Sequence, residues 1–323
     1  MQYRRLGRTN LQVSEIGCGL WGMSGWSDAS QAESRRALQL AADLGCTFYD
    51  SAEAYGDGAS DKLLGQLLKD NPTTQLFTAS KVPPKNWKWP ATPSSTLEQI
   101  FPREHVLGSV ERIRASMEVD CIDVLQYHVW DDAWLTDSSW IDTVGELKAK
   151  GHIKWFGLSL NRWEPWNGMA AIRTGAVDVV QVIYNIFDQA PEDELFPLCR
   201  EKDVGVIARV PLDEGSLGGR FTKDTRFPKS DWRSRYFGRE NLGPTVERVD
   251  KLKASLPAGA SLPEIALRFV LQSPEVSTTI VGMRKEAHVR QNIALSDGVP
   301  LSDDMLAGLR PHRWDRKPSH WSD

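Results

Sequence analysis

The feature that most constrains the fold of this chain is a repeated alternation of two kinds of segment. Short runs rich in β-branched and aromatic residues are each followed by a segment with apolar residues at helical spacing, from residues 16–19 to residues 277–281. Eight such units predict parallel strands joined by right-handed crossovers. Because parallel strands without an open edge most simply close on themselves, we predict an α/β fold, a (β/α)8 or TIM barrel, and expect residues 1–323 to form one barrel domain.

Three stretches interrupt this alternation. Residues 1–15 alternate around Gly7-Arg8-Thr9-Asn10, which predicts an N-terminal β-hairpin. The segment 82–96, after the third strand, is rich in Pro and Trp and is a candidate substrate loop. The long loop after strand 7, residues 210–244, lacks a regular pattern, and irregular segments of this length in compact domains are usually functional. Its basic and aromatic part, 223–239, fits a lid or a solvated loop equally well, and the next helix is predicted over 245–255.

Polar side chains stand where three successive predicted strands end. Asp50 closes the strand at 47–50, Lys81 follows the strand at 76–80, and His128 follows the strand at 122–127. Tyr55 comes five residues after Asp50, in a segment that closes on glycines. In barrels of this class the active site lies at the carboxyl ends of the strands. A phenol with an ordinary pKa of about 10 needs a nearby cation to serve near neutral pH, and that cation needs an anion to hold it.

The pattern Asp-x-x-x-x-Tyr-Gly, a strand-end Lys and Asp-x-x-x-x-His resembles the catalytic tetrad of the aldo-keto reductases, and the resemblance extends from residue 3 to residue 292. It implies a barrel whose bottom is closed by the hairpin, and hydride transfer between a nicotinamide and a carbonyl or alcohol group. In the roles that it implies, Tyr55 is the general acid and base and Lys81 lowers the pKa of Tyr55. Asp50 would orient Lys81, and His128 would orient the substrate carbonyl.

The cofactor expectation also comes from this resemblance. No Gly-x-Gly-x-x-Gly follows a predicted strand, so a Rossmann-type site is unsupported. The resemblance implies extended NADPH, with NADH as an alternative, across the later strand ends. Ser159 and Gln181 match the side chains that hold the nicotinamide carboxamide, and Asn161 is a candidate because Leu160 stands where the family commonly has Asn. Arg209 stands where many members stack a Tyr on the nicotinamide, and it would place positive charge beside the ring.

The remaining cofactor positions form two groups. Those that resemble the loop over the pyrophosphate are Pro211, Leu212, Gly215, Leu217, Gly219 and Arg220. Those that resemble the adenosine end are Gly282, Arg284, Lys285, His288, Gln291 and Asn292. Arg284 or Lys285 would hold the 2′-phosphate, because anions favour cationic side chains and helix N-termini. An exposed, charged helix start is the alternative explanation for these two residues.

Four tryptophans in presumed loops are candidates for the wall of a substrate pocket: Trp21, Trp26, Trp87 and Trp130. Such rings suit an apolar or a sugar substrate, and loop packing explains each of them equally well. We expect a small-molecule carbonyl or alcohol substrate, which is an aldehyde, a ketone or a sugar.

Composition excludes several other partners. A net charge of −4 does not provide the excess of positive charge that binding to nucleic acid or an anionic membrane requires. No apolar run is long enough to span a bilayer. Six histidines without ligand spacing predict no metal site. Four scattered cysteines indicate reduced, buried thiols and a cytoplasmic protein.

Two other functions compete with the reductase. The first is a non-catalytic, NADPH-binding regulatory subunit that resembles the potassium-channel β subunits. No segment precedes the hairpin in this sequence, which favours the enzyme. The second is a metal-dependent barrel hydrolase, which the histidine spacing disfavours. The sequence predicts no oligomeric state.

Overall fold

The computed structural model describes residues 1–25 and 30–317. Within these ranges, eight parallel strands close a barrel in chain order, with the last barrel strand beside the first, which confirms the predicted fold class. The hairpin strands are β1 (Tyr3–Arg5) and β2 (Gln12–Ser14). The barrel strands are β3 (Ile16–Gly19), β4 (Phe48–Asp50), β5 (Phe77–Val82), β6 (Ile122–Tyr127), β7 (Ile153–Ser159), β8 (Val179–Ile183), β9 (Gly205–Arg209) and β10 (Val276–Gly282).

Helices occupy the connections between the strands. The first six are α1 (Gln31–Asp43), α2 (Ala59–Asp70), α3 (Leu97–Ile100), α4 (Arg103–Met117), α5 (Ser139–Ala149) and α6 (Met169–Arg173). The others are α7 (Leu195–Lys202), α8 (Arg233–Tyr236), α9 (Arg239–Ser255), α10 (Leu262–Leu271), α11 (Glu286–Ile293) and α12 (Asp303–Leu309). No helix in the described ranges has both the length and the apolar character needed to cross a bilayer.

The hairpin closes the amino-terminal end of the barrel. Its strands pair antiparallel, with Arg4 opposite Val13. Leu6 and Val13 are fully buried in a cluster with residues of the barrel strands, including Phe48. Gly7 has a φ of 48°, and a Cβ there would lie 2.2 Å from the backbone nitrogen of Gly205, so only glycine lets the turn lie against the start of β9. The hairpin therefore covers the end of the barrel opposite the strand exits.

The long loop after strand 7, which is β9 in the structure, contains more regular structure than its sequence suggests. A 3-10 turn covers Asp213–Gly218 and α8 follows. The next helix begins at Arg239, six residues before the predicted start, and carries Pro244 inside it. Proline normally ends such a pattern, but here Leu242 and Val246 are buried against Tyr236 and Phe237, and tertiary packing outweighs the missing hydrogen bond.

Candidate active site

Lys81 brings three of the predicted catalytic residues together. Its amine nitrogen lies 2.6 Å from Asp50 Oδ2, 2.7 Å from the carbonyl oxygen of Ser51 and 3.4 Å from the hydroxyl oxygen of Tyr55. Lys81 is completely buried and Asp50 almost so. The three donors of the ammonium group thus each face an oxygen atom at the carboxyl ends of β4 and β5.

The strand register explains why these residues meet. Asp50 pairs with Ala79, and Lys81 lies two residues further along β5, so both side chains reach the same end of the barrel. Tyr55 is returned towards them by a turn in which its N–H donates to the carbonyl of Ala52. Gly56 has a φ of 64° and lies so close to Ser24 that a Cβ would sit 2.4 Å from the Ser24 carbonyl oxygen. Glycine is therefore required directly after Tyr55.

His128 completes the predicted tetrad beside the ring of Tyr55. The two ring centroids are 5.6 Å apart in an edge-on arrangement. The backbone N–H of His128 donates to the carbonyl oxygen of Val82, which fixes the residue at the end of β6. Its Nδ1 atom is buried and has no hydrogen-bond partner within the described part of the chain. The tetrad of Asp50, Tyr55, Lys81 and His128 therefore converges at one rim of the barrel.

Burial sets the protonation states at this rim. Burial raises the pKa of Tyr55 above its ordinary value, although the charge of Lys81 opposes that rise. Lys81 does act to lower the pKa of Tyr55, as expected, but removal of the phenolate from water outweighs the attraction of the ammonium group, so the net pKa is raised. Burial lowers the pKa of Lys81, but Asp50 and Tyr55 raise it by more, so Lys81 stays charged. Burial and the charges of Lys81 and Arg209 hold the pKa of His128 well below its usual range.

Two buried glutamines hold the other oxygen of Asp50. Gln181 Nε2 lies 2.8 Å from Asp50 Oδ1, and Gln126 Nε2 lies 3.3 Å from the same oxygen. Gln126 was not among the predicted site residues. The sequence did carry a signal for it, since Gln126 shares the inward face of β6 with the apolar Val124. A polar residue at such a position faces the centre of the barrel.

The predicted carboxamide-binding residues separate into two environments. Ser159 and Gln181 are buried neighbours in the register of β7 and β8. Asn161 is engaged elsewhere: its Oδ1 lies 3.2 Å from the backbone nitrogen of Ala91, and its Nδ2 lies 2.8 Å from Glu164 Oε2. Asn161 therefore links the loop after β7 to the candidate substrate loop.

The loop after β9 is held in a strained conformation. Val210, Asp213 and Glu214 have φ values of 58°, 44° and 55°, which side chains other than glycine rarely adopt. Pro211 and Leu212 lie inside this segment, Gly215 and Gly219 also have positive φ, and Leu217 is fully buried. Such strain persists only where surrounding contacts enforce it, and it concentrates at ligand sites.

Buried ion pairs from distant segments enforce this conformation. Arg162, in the loop after β7, donates to Glu214 Oε1 at 3.2 Å. Arg316, near the C-terminus, lies 2.8 Å from Asp213 Oδ1 and also pairs with Asp188. The side chain of Arg316 is only 2% exposed. The loop after β9 is thus fixed from both sides.

The candidate adenosine-end residues form a basic surface at the start of α11. Lys285 and His288 are exposed, as are Gly282 and Gln291, while Arg284 and Asn292 are partly buried. Partial burial lowers the pKa of His288 most, and the charges of Lys285, Arg284 and Arg220 lower it further. All three cations therefore lie near that imidazole. This convergence of positive charge is suited to a phosphate group.

Aromatic side chains surround the tetrad, but they are not all those predicted. Trp21 lies 6.3 Å from the ring of Tyr55 and 4.9 Å from Trp232. Trp89 lies 5.4 Å from His128, and the half-exposed Trp87 contacts Trp89. Trp89 and Trp232 were not among the predicted pocket residues.

Trp130 does not line the site. It has no exposed surface and packs against Trp134 and Trp140, with its indole N–H donating to Asp132. Trp130 therefore supports the outer layer of the barrel, contrary to expectation. Trp26 lies outside the described residues.

The described residues contain no cluster of three or more His, Cys, Asp or Glu side chains that could hold a metal ion. All four cysteines are free thiols, and Cys121 is only partly buried, unlike Cys18, Cys46 and Cys199. Neither group adds to the site at the rim.

Comparison with known sequences and structures agrees with this geometry. The sequence model of the Aldo/keto reductase family matches residues 15–313, so this chain belongs to that family. The chain is 26% identical over 321 residues to a probable voltage-gated potassium channel subunit beta of Oryza sativa subsp. japonica, covering 93% of each chain. It is 27% identical over 320 residues to the NADH-specific methylglyoxal reductase of Escherichia coli, covering 92% of this chain and 94% of that one.

A solved structure supports the same fold. The aldo/keto reductase from Klebsiella pneumoniae in complex with NADP and acetate superimposes with a TM-score of 0.70 at 23% identity. The match covers 96% of this chain and 95% of that one. Because only 23% of the aligned residues are identical, this similarity supports the barrel fold alone.

Proposed function

We propose that this chain is an NADP(H)-dependent oxidoreductase that transfers hydride between a nicotinamide and a carbonyl or alcohol substrate. One observation carries the proposal: the buried Lys81 amine joins the Asp50 carboxylate to the Tyr55 hydroxyl at the open rim of the barrel. Membership of the Aldo/keto reductase family supports the oxidoreductase class.

The residues at the rim fit a nicotinamide dinucleotide. Arg209 Nε and His128 Nδ1 are buried polar atoms without a partner in the described part of the chain; His128 belongs to the tetrad and Arg209 ends β9 at the same rim. Ser159 and Gln181 are neighbours in the register of β7 and β8 and carry a hydroxyl and an amide at the ends of these strands. The basic surface around His288 supplies positive charge for a phosphate at the other end of the site. When bound, such a cofactor supplies the hydride.

The side chains of the tetrad supply the proton. Because its pKa is raised, Tyr55 carries its proton at neutral pH and can donate it to a carbonyl oxygen. The resulting phenolate is stabilised by Lys81, which remains charged because Asp50 and Ser51 hold its amine. In alcohol oxidation the Tyr55 oxygen accepts the proton instead. The neutral imidazole of His128 donates one hydrogen bond that orients the carbonyl.

The basic surface favours NADPH over NADH. Arg284 and Lys285 supply cations that would bind the 2′-phosphate of NADPH. NADH lacks this phosphate and so gains nothing from these two residues. The Escherichia coli relative is named as NADH-specific, so both cofactors belong in the experiment. The aromatic rings of Trp21, Trp89 and Trp232 around the tetrad suit a small aldehyde, ketone or sugar.

Oxidation of NADPH and NADH, followed by the absorbance of the reduced cofactor with a panel of small aldehydes, ketones and aldoses, tests this proposal. We expect repeated turnover with at least one aldehyde and a lower KM for NADPH than for NADH. Cofactor binding without turnover on any member of the panel would contradict the enzyme assignment.

A second candidate function is a regulatory subunit that binds NADPH without sustained turnover. The specific observation in its favour is the rice channel subunit beta, which aligns with 93% of this chain. Turnover separates the two candidates, because a regulatory subunit needs cofactor binding only.

A further inference from the structure

Arg209 is a positive charge without a salt-bridge partner in the described part of the chain. It ends β9, and its Nη2 donates a single hydrogen bond to the carbonyl oxygen of Leu160 at 2.9 Å. Its Nε is buried without a hydrogen-bond partner, and no carboxylate of residues 1–25 or 30–317 lies within ion-pairing distance of its guanidinium. Burial and the neighbouring Arg162 lower the pKa of Arg209 to about 10, so it remains charged at neutral pH. A partly buried cation without a salt-bridge partner favours an anionic or neutral neighbour and disfavours another cation.

The other charges around Arg209 cancel in pairs. Lys81 is paired with Asp50, and Arg162 is paired with Glu214. Tyr55 and His128 are neutral, because the pKa of the phenol is raised and that of the imidazole is lowered. Among the described residues around the tetrad, Arg209 is therefore the cation that no carboxylate pairs.

This charge reaches the place where hydride transfer would occur. Arg209 lies two residues beyond Ile207 on β9, and Ile207 pairs with Gln181, whose amide donates to Asp50, so Arg209 ends at the same rim as the tetrad. In agreement with this position, its charge lowers the pKa of Tyr55 and that of His128. A carbonyl that accepts a proton from Tyr55 must lie in this space. A hydride donor must approach that carbonyl to about 3–3.5 Å. Any nicotinamide that reacts here therefore feels the Arg209 guanidinium.

We propose that Arg209 makes the site discriminate between the two redox forms of the nicotinamide, so that the protein binds NADPH more tightly than NADP⁺. The inference rests on the proposed function. The oxidised ring carries a positive charge and the reduced ring is neutral, so Arg209 repels only the oxidised form. Coulomb repulsion between unit charges several ångströms apart in a protein environment corresponds to about a tenfold to hundredfold difference in Kd. Stacking of the planar guanidinium is available to both forms, and so it leaves the ratio of affinities unchanged.

The preference has a consequence for the reaction cycle. Weak binding of the oxidised form means that NADP⁺ leaves readily after each reduction and inhibits poorly as a product. A tenfold preference for the reduced form also raises the midpoint potential of the bound couple by about 30 mV relative to the free couple.

Equilibrium titration of the full chain with NADPH and with NADP⁺, without substrate, tests the inference through binding alone. We expect wild type to bind NADPH at least tenfold more tightly. Arg209→Gln keeps a planar donor for Leu160 but removes the charge, and should bring the two Kd values within about threefold, mainly by tightening NADP⁺. Arg209→Lys keeps the charge and should keep the preference.

A matched control distinguishes charge at the ring from charge elsewhere. Arg220→Gln removes a cation near His288, where both forms of the cofactor carry the same phosphate charges, and should weaken both without changing their ratio. Equal affinities in wild type, or an unchanged ratio in Arg209→Gln, would overturn the role of Arg209 while leaving the proposed function intact. Failure of wild type to bind either form would overturn both.

Discussion

The amine of Lys81 lies 2.6 Å from the Asp50 carboxylate, and both side chains are almost inaccessible to solvent. A buried pair of this kind stabilises little relative to apolar residues, but removal of one partner leaves an uncompensated charge in the interior. Three further polar contacts, from Ser51, Gln126 and Gln181, complete the surroundings of the pair. Because the pair adds little stability, its presence in the interior is explained by a need for the charged amine beside Tyr55.

The first prediction concerns this pair. Asp50→Asn should lower the free energy of unfolding by about 3–5 kcal/mol, because the Lys81 amine then remains buried without its counterion. Urea unfolding measures the change. Asp70→Asn is the matched control, since Asp70 pairs with Arg35 on the surface and its loss should cost less than about 1 kcal/mol. Equal effects of the two substitutions would mean that the buried pair is not a charged pair.

The second prediction concerns the pH dependence of the reaction. The pKa of Tyr55 is raised, so the proton needed for carbonyl reduction is present throughout the neutral range. Reduction should be flat across neutral pH and fall only above the ordinary phenol pKa of about 10, whereas alcohol oxidation should rise towards the same region. Since the pKa of His128 is far below its usual range, no break should appear near its ordinary value.

Initial rates in both directions across this pH range check the prediction. Lys81→Met removes the charge that opposes the rise in the pKa of Tyr55, so the break in its residual activity should move to higher pH. A reduction rate that already falls through neutral pH would show that the proton donor is not the phenol.

The third prediction concerns the C-terminal anchor of the loop after β9. Arg316→Met should destabilise the fold by about 3–5 kcal/mol, because Asp188 and Asp213 are then left buried without a cation. It should also expose the strained segment at 213–218 to limited proteolysis, since Arg316 no longer holds it. Arg313→Met is the control: Arg313 pairs with Asp193 and Asp315 at the surface, and we expect a change below about 1 kcal/mol. Resistance of the Arg316 variant to both urea and protease would contradict this anchoring.

The fourth prediction concerns Asp61, a fully buried carboxyl in the first turn of α2. Its Oδ1 accepts from the Ser80 hydroxyl at 3.0 Å, and its Oδ2 has no partner among the described residues. Burial raises the pKa of Asp61 from 3.8 to about 6. The folded protein therefore holds a proton that the unfolded chain has released, and wild-type stability should decline as the pH rises from about 4 to about 6.

Asp61→Asn should lack this decline. Because the shift is about two pKa units, the variant should gain about 2–3 kcal/mol relative to wild type on passing from below to above this interval. Urea unfolding of both proteins at several pH values measures the difference. Parallel pH profiles would mean that the pKa of Asp61 is the same in the folded and the unfolded protein.

Residues at strand ends were the most predictable part of the site. Asp50, Lys81 and His128 each follow a clear strand pattern, and parallel strands bring such positions to one rim. Loop sequences have no comparable periodicity from which the direction of a side chain can be predicted. For this reason Trp130 was expected in the pocket, although it is buried in the outer layer of the barrel. Similarly, the helix after the long loop was expected to begin at residue 245, and only the packing of Leu242 shows why α9 begins earlier.

Long-range effects were beyond reach of the sequence. Arg316 contacts Asp188 across 128 residues of sequence, and no local pattern marks it as an anchor. The net shift of the pKa of Tyr55 depends on how completely the phenol is removed from water, which requires the packed structure. The sequence indicated the interaction with Lys81 correctly but not the larger effect of burial.

The central claim is that the Tyr55 hydroxyl donates the proton during hydride transfer. The most direct measurement is the single-turnover rate of NADPH oxidation by an aldehyde in wild type and in Tyr55→Phe, with Tyr3→Phe as a control on an exposed phenol of the hairpin. We predict that Tyr55→Phe slows this step by about a hundredfold to ten-thousandfold with an unchanged Kd for NADPH, while Tyr3→Phe matches wild type. A Tyr55→Phe variant that transfers hydride at the wild-type rate would contradict the account.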